Sequence, residues 1–123
     1  MKLTNSQIYN YASALNNPNA EINQRMPIKV SFYFQKNKAK LIELAQEIDK
    51  ARLEIIKAEG TLNPESGQYD IDKEKMPEVV KEINDLFTLE QEVEVYMIKL
   101  DSLGENIQMT PAQMEALMFM IEE

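Results

Sequence analysis

The stretch Leu41–Ala58, LIELAQEIDKARLEIIKA, carries the strongest periodicity in the chain. Its apolar residues recur at intervals of three and four, and the series continues seven residues back to Phe34. Its members are Leu41, Leu44, Ile48, Ala51, Ile55 and Ala58. Because a helix turns once in about 3.6 residues, this spacing places the apolar side chains on one stripe and the charged residues elsewhere. We therefore predict a long helix over 37–58 that packs lengthwise on a second helix.

The residues just before this helix allow two interpretations. Ile28, Val30, Phe32 and Phe34 alternate along the chain, which is typical of a short strand. Pro27 precedes them and suits the first position of a helix. We favour a helix over 28–34 and keep a strand as the alternative.

A tight connection follows the long helix. Gly60 is expected to end that helix as its C′ residue. Residues 61–71 are typical of a β-hairpin, because Pro64 presets a turn and Gly67 supplies a positive φ. The residues expected to pair across it are Leu62, Tyr69 and Ile71.

A second helix is predicted after the hairpin. Apolar residues repeat at intervals of three and four in Met76, Val79, Ile83 and Leu86. Pro77 is tolerated only in the first helical turn, so regular helix is expected to begin near Met76. The short connection makes the two helices an antiparallel hairpin. In that register three lysines approach three glutamates, Lys36, Lys38 and Lys40 facing Glu90, Glu92 and Glu94.

The remaining segments form a predicted base. Residues 4–15 are a short helix capped by Thr4 or Asn5, and 16–26 are a polar connector. Residues 92–100 alternate and are rich in β-branched side chains, so we predict a strand there. Its candidate partners are 1–4, 107–109 and 28–32. Thr110 and Pro111 begin a final helix that runs to about Ile121.

Together these elements predict one domain over 1–123 with a mainly α, small α+β fold. A long antiparallel helical hairpin carries a β-hairpin at its tip. Two short helices and a short strand form the base. The length of 123 residues is typical of a single domain.

The composition excludes several classes of chemistry. The chain has no cysteine and no histidine, which excludes thiol nucleophiles, disulfides, imidazole bases and zinc sites with cysteine or histidine ligands. Its three glycines form no phosphate-binding loop. Glu90, Glu92 and Glu94 lack the loop that a calcium site needs. We expect no enzyme activity, no catalytic residues, no metal and no cofactor.

The sequence shows no targeting signal. The first residues lack the apolar core of a signal peptide, and the longest apolar run, 116–121, is far below the ~20 residues of a membrane span. We expect a soluble, cytoplasmic protein without membrane contact.

Charge is distributed unevenly along the chain. The net charge is -8, yet the segment 22–42 contains no acidic residue. Phe32 and Tyr33 stand there among Arg25, Lys29, Lys36, Lys38 and Lys40. Cations among aromatic rings are typical of nucleic-acid surfaces, but an acidic chain repels phosphate at long range. We therefore keep nucleic-acid binding through 25–40 as a second alternative.

The last helix adds a candidate contact. Met114, Leu117, Met118 and Ile121 share one face, whereas Ala116, Phe119 and Met120 lie outside it. A helix that is apolar nearly all round is buried on more than one side. Either it fills the core of its own fold or part of it contacts a partner, with a homodimer as one option. The complete predicted interaction surface is Phe32, Tyr33, Lys36, Lys38, Lys40, Tyr96, Phe119 and Met120.

The order of these motifs resembles a family of short proteins encoded by phages and prophages, mainly of Firmicutes. The matching segments are Leu15, MPIKVSFYFQKN at 26–37, GQY at 67–69, EVEV at 92–95 and the ending from Met109 to Glu122. The resemblance spans nearly the whole chain and rests on packing and capping signals. It implies a phage or prophage accessory protein and brings no catalytic residues with it.

We therefore expect a non-catalytic accessory protein that acts by protein–protein interaction, with a host protein as its partner in takeover or counter-defence. The first alternative is a factor in phage morphogenesis that binds another phage protein.

Overall fold

The computed structural model describes residues 1–17, 27–103 and 109–122. The fold is mainly helical with small strand pairs, as predicted. The elements are β1 (Lys2–Thr4), α1 (Asn5–Leu15), α2 (Ile28–Glu59), β2 (Thr61–Leu62), β3 (Tyr69–Asp70), α3 (Met76–Thr88), β4 (Glu90–Glu92), β5 (Ile98–Lys99), a 3-10 turn (Leu100–Leu103), α4 (Pro111–Leu117), a second 3-10 turn (Met118–Met120) and β6 (Ile121–Glu122).

Helix α2 is 32 residues long and begins directly after Pro27. The strand alternative for 28–34 is therefore wrong. In a strand, Ile28 and Val30 would share one face, but here Val30 and Phe34 are buried whereas Ile28 and Phe32 are exposed. That four-residue spacing joins Val30 and Phe34 to the buried stripe of Leu41, Leu44 and Ile48, so the segment continues the helix.

Helix α2 ends at Glu59, just before Gly60, as predicted. Gly60 is extended, with φ -105° and ψ 167°, and not left-handed. Glycine is needed for space: a Cβ at this position would lie 2.8 Å from the carbonyl oxygen of Ile56 and 3.2 Å from that of Asp70. The hairpin strand β3 comes so close to the end of α2 that a side chain does not fit.

Replacing Gly60 with alanine is therefore expected to lower the free energy of unfolding by about 1–3 kcal/mol, because backbone atoms must move to admit the methyl group. Urea denaturation measures this loss. Gly67→Asn is the matched control: Gly67 has φ +72° with open space around it, and asparagine tolerates that conformation. An unchanged urea midpoint in Gly60→Ala would contradict the close approach.

The tip hairpin forms as predicted, with Thr61 opposite Asp70 and Leu62 opposite Tyr69. Gly67 has the predicted positive φ. Ile71 lies outside the ladder, so its predicted pairing is wrong. The chain turns away directly afterwards, since the amides of Lys75 and Met76 both donate to the carbonyl of Asp72.

Helix α3 begins at Met76 with proline in its first turn and packs back along α2. The antiparallel helical hairpin is thus confirmed. However, α3 has only 13 residues and covers part of α2. Helix α1, capped by Thr4 and Gln7 as a reciprocal pair, packs on another part of α2.

The predicted strand over 92–100 is wrong as one continuous element. Strand β4 pairs antiparallel with β1, so the candidate partner 1–4 pairs with 90–92 and meets the predicted strand only at Glu92. Strand β5 instead pairs in parallel with β6, a partner that we did not predict. Of the other candidates, 28–32 is helical and 107–108 lie outside the described residues.

A buried asparagine of α2 explains this interruption. The side chain of Asn37 donates to the carbonyl of Tyr96 (2.9 Å) and accepts from its amide (2.8 Å). The side chain of Asn37 thus satisfies backbone groups that a strand ladder would otherwise satisfy. Asn5, also buried, joins α1 to the end of α3 and to β4, because it donates to the carbonyl of Leu86 (2.8 Å) and accepts from the side chain of Gln91 (2.6 Å).

The C-terminal segment also departs from the prediction. The reciprocal cap of Thr110 and Gln113 starts α4, but the helix tightens into a 3-10 turn at Met118 instead of running to Ile121. This changes the side-chain phase. Ala116, Leu117 and Met120 are buried and pack in the core with α1, while Met114 and Met118 are exposed. The predicted apolar face is therefore wrong, and the core-filling alternative describes most of this segment.

In the described part of the chain, every helix is too short or too polar to cross a bilayer.

Candidate functional site

An apolar and basic surface covers the outer side of the first turns of α2. Ile28 is 88% exposed and Phe32 is 55% exposed. Residues four apart lie on the same side of a helix, so these two side chains are neighbours. Lys29 and Tyr33 form the next row around the helix. Large apolar side chains with this exposure on a rigid helix are typical of contact surfaces.

Cations and rings are interleaved here. Lys29 Nζ lies 5.5 Å from the centre of the Tyr33 ring, and Lys36 Nζ lies 5.5 Å from that of Phe32. Both distances are within the range of cation–π attraction. The rings of Phe32 and Tyr33 lie 6.3 Å apart, and those of Tyr33 and Tyr96 lie 5.1 Å apart. We call the set Ile28, Lys29, Phe32, Tyr33, Lys36 and Tyr96 the aromatic–lysine surface.

The core of the protein holds this surface in place. Phe34 and Asn37 are buried on the opposite side of the same helical turns. Asn37 binds both backbone polar groups of Tyr96, and this fixes the Tyr96 ring beside Tyr33. The surface is therefore preorganised by a 2% exposed asparagine that the sequence pattern did not single out.

The predicted pairing of lysines with glutamates is wrong. Glu90 pairs with Lys2 at 3.2 Å, and Glu92 pairs with the amino group of Met1 at 3.0 Å. Because β1 lies antiparallel to β4, the N-terminus takes the place that we predicted for the lysines of α2. In the described residues, the lysines of the aromatic–lysine surface make no ion pair with a carboxylate.

Three of the predicted site residues lie elsewhere. Lys38 is two residues from Lys36, about 200° around the helix, and so faces the opposite flank. Phe119 is stacked on Tyr11, with ring centres 4.6 Å apart and an interplanar angle of 11°. Met120 is fully buried against Asn37, so its prediction as a contact residue is wrong. Lys40 lies one turn beyond Lys36 and is exposed.

A cavity of about 200 Å³ opens beside Tyr33. Its lining consists of Lys29, Val30, Tyr33, Met97, Ile98, Lys99, Ser102 and Glu122. The parallel pairing of β5 with β6 places Lys99 opposite Glu122 and builds the far wall. We did not predict this cavity, because no local pattern connects residues 98–99 with 121–122.

The polar groups of the cavity show no arrangement typical of catalysis. Within residues 27–103 and 109–122, no hydrogen bond connects Ser102 with Lys29 or Lys99, the contact that would activate a serine–lysine nucleophile. A second cavity, of about 190 Å³, lies between α1 and α2 and includes Tyr9, Ser13 and Asp49. Among the residues that the structure describes, no three acidic side chains lie together as metal ligands.

No known protein family, curated protein or solved structure matches the chain.

Proposed function

We propose that this protein is a non-catalytic binding module that recognises another protein through the aromatic–lysine surface. One observation carries the proposal: Phe32 is more than half exposed on the long helix α2, between two lysines that pair with no carboxylate among the described residues. Aromatic anchors within a polar rim dominate the energetics of protein interfaces. A long helix anchored in a core presents such an anchor at little cost in conformational entropy.

The absence of an activated nucleophile among the described residues supports a binding role. Among the described residues, neither cavity contains a serine hydrogen-bonded to a base, and the chain has no histidine to act as a base and no cysteine to act as a nucleophile. Binding needs only complementary shape and charge, and the aromatic–lysine surface offers both.

The resemblance to phage and prophage proteins suggests the biological setting. We propose an accessory protein that acts on a host protein, in takeover or counter-defence. A role in particle assembly, with a phage protein as partner, is the alternative. Deleting the gene distinguishes them: loss of particles supports assembly, whereas normal particles with impaired growth on the natural host support a host target.

Photo-crosslinking in the natural host tests the docking surface. A photoreactive phenylalanine analogue in place of Phe32 is expected to capture one discrete protein, which mass spectrometry identifies. The same analogue in place of Leu53 is the matched control, because Leu53 is 46% exposed on the same helix, outside the surface. Equal capture from both positions, or no capture from position 32, would contradict the proposal.

Phe32→Ala is expected to weaken binding of the captured protein at least about 30-fold, the effect of a central interface anchor. Its effect on the free energy of unfolding should stay within about 0.5 kcal/mol, because the side chain is mostly exposed. Isothermal titration calorimetry and urea denaturation give the two values. Unchanged affinity in a stably folded variant would exclude Phe32 as the anchor.

A further inference from the structure

We propose that the aromatic–lysine surface binds an acidic peptide segment of its partner, and that this segment inserts one apolar side chain into the cavity beside Tyr33. The inference rests on the proposed function, and it names the chemistry of the partner.

The cavity has the size and lining of a socket for one side chain. A cavity of about 150 Å³ is large enough for a benzene ring, and this one measures about 200 Å³. Val30, Ile98 and Met97 give it apolar walls, and the ring of Tyr33 closes one side. Apolar side chains that fill such pockets are the usual anchors of peptide recognition.

The charges around the socket favour an acidic partner. Among the described residues that line the cavity, Lys29 and Lys99 are basic and Glu122 is acidic. Lys36 adds a further positive charge about two helical turns after Lys29. No acidic residue occurs between positions 22 and 42. In the part of the chain that the structure describes, none of these lysines is ion-paired to a carboxylate, and an acidic partner would complement their charge.

The charge of the whole chain disfavours a nucleic acid. The chain as a whole carries a net charge of -8. A nucleic acid carries a negative charge on every phosphate, and those charges extend past the few lysines of this surface. Repulsion from the rest of the protein then opposes binding. A short acidic segment can place its carboxylates near Lys29, Lys36 and Lys99 alone.

A display selection tests the proposed partner chemistry. A library of random twelve-residue peptides on yeast is sorted with the full-length protein, and the enriched peptides are synthesised for fluorescence anisotropy. We expect enriched peptides to combine Asp or Glu with one Leu, Phe or Trp. Replacing that apolar residue with alanine should weaken binding about 30-fold.

Charge variants of the protein locate the binding site. Lys29→Gln and Lys99→Gln should each weaken binding about two- to five-fold, the range of exposed ion pairs. Glu122→Gln should strengthen it, because a repulsive charge is removed from the socket. Lys57→Gln is the matched control, as Lys57 is exposed on α2 far from the cavity, and it should leave the affinity unchanged.

Three results would overturn the inference. The first is enrichment of peptides without acidic residues. The second is an affinity for acidic peptides that does not change when Lys29, Lys99 or Glu122 is replaced. The third is a single-stranded oligonucleotide, titrated in parallel, that binds more tightly than any peptide and depends on Lys29. If non-acidic peptides bind and Phe32→Ala weakens their binding, the proposed docking surface is retained and only its specificity for acidic peptides is wrong. If Phe32→Ala also leaves the affinity for the enriched peptides unchanged, the proposed function is wrong as well.

Discussion

Replacing Asn37 with leucine is expected to lower the free energy of unfolding by about 2–4 kcal/mol. Asn37 is 2% exposed, and its side chain satisfies both the amide and the carbonyl of Tyr96. Leucine has the same branched skeleton but is larger, and it leaves two backbone groups without partners, each at a cost of about 1–3 kcal/mol. Urea denaturation of both proteins measures the difference.

The control for Asn37→Leu is Asn84→Leu, which makes the same chemical change at an exposed position of α3. We expect it to change stability by about 0.5 kcal/mol or less. Amide hydrogen exchange gives a second readout, because the Tyr96 amide should lose its protection in Asn37→Leu. A variant as stable as the wild type, with Tyr96 still protected, would contradict the role of Asn37.

Ile8→Ala is expected to lower the free energy of unfolding by about 2–5 kcal/mol. Ile8 has no exposed surface and belongs to the core in which α1, α2 and the C-terminal segment meet. Truncation removes three carbons and leaves a cavity that this enclosed site cannot readily fill. Since domains of this size are stable by only about 5–15 kcal/mol, the variant should unfold at a much lower urea concentration.

Leu53→Ala is the matched comparison for Ile8→Ala. Leu53 is also a large aliphatic residue on a helix, but it is nearly half exposed, so its truncation should have a far smaller effect. Similar losses for the two variants would mean that α1 is not part of the central core.

The elements that sequence predicts best are those whose signal is local. The stripe from Leu41 to Ala58 depends only on the spacing of neighbouring apolar residues, and α2 buries its Leu41, Leu44 and Ile48 as expected. The caps at Thr4 and Thr110 are local as well, because each bonds a residue three positions later.

Pairings between distant segments were much harder to predict. The alternation at 92–100 suggested one strand, but Asn37, 59 residues away from Tyr96, takes over its backbone hydrogen bonds. The order of residues along the helical hairpin predicts that the lysines of α2 face Glu90, Glu92 and Glu94. Strand β1 occupies that place and supplies other cations.

The candidate site likewise combines residues that have a local sequence signal with residues that have none. Phe32, Tyr33 and Lys36 stood out because aromatic and basic residues are interleaved in one short segment. The cavity beside them is built by Lys99 and Glu122 across the β5–β6 pair, and no spacing along the chain indicates that contact. Met120 lies outside the apolar face predicted for the last helix, but the 3-10 turn directs its side chain into the core.

Methyl cross-saturation NMR on the complex with the captured partner tests most directly whether the aromatic–lysine surface is the docking site. The protein is labelled at its methyl groups, and the unlabelled partner is irradiated. Our account predicts loss of intensity at Ile28 and Met97, with Leu62 and Val80 near the tip unaffected. Loss of intensity at Leu62 and Val80, with Ile28 and Met97 unchanged, would contradict it.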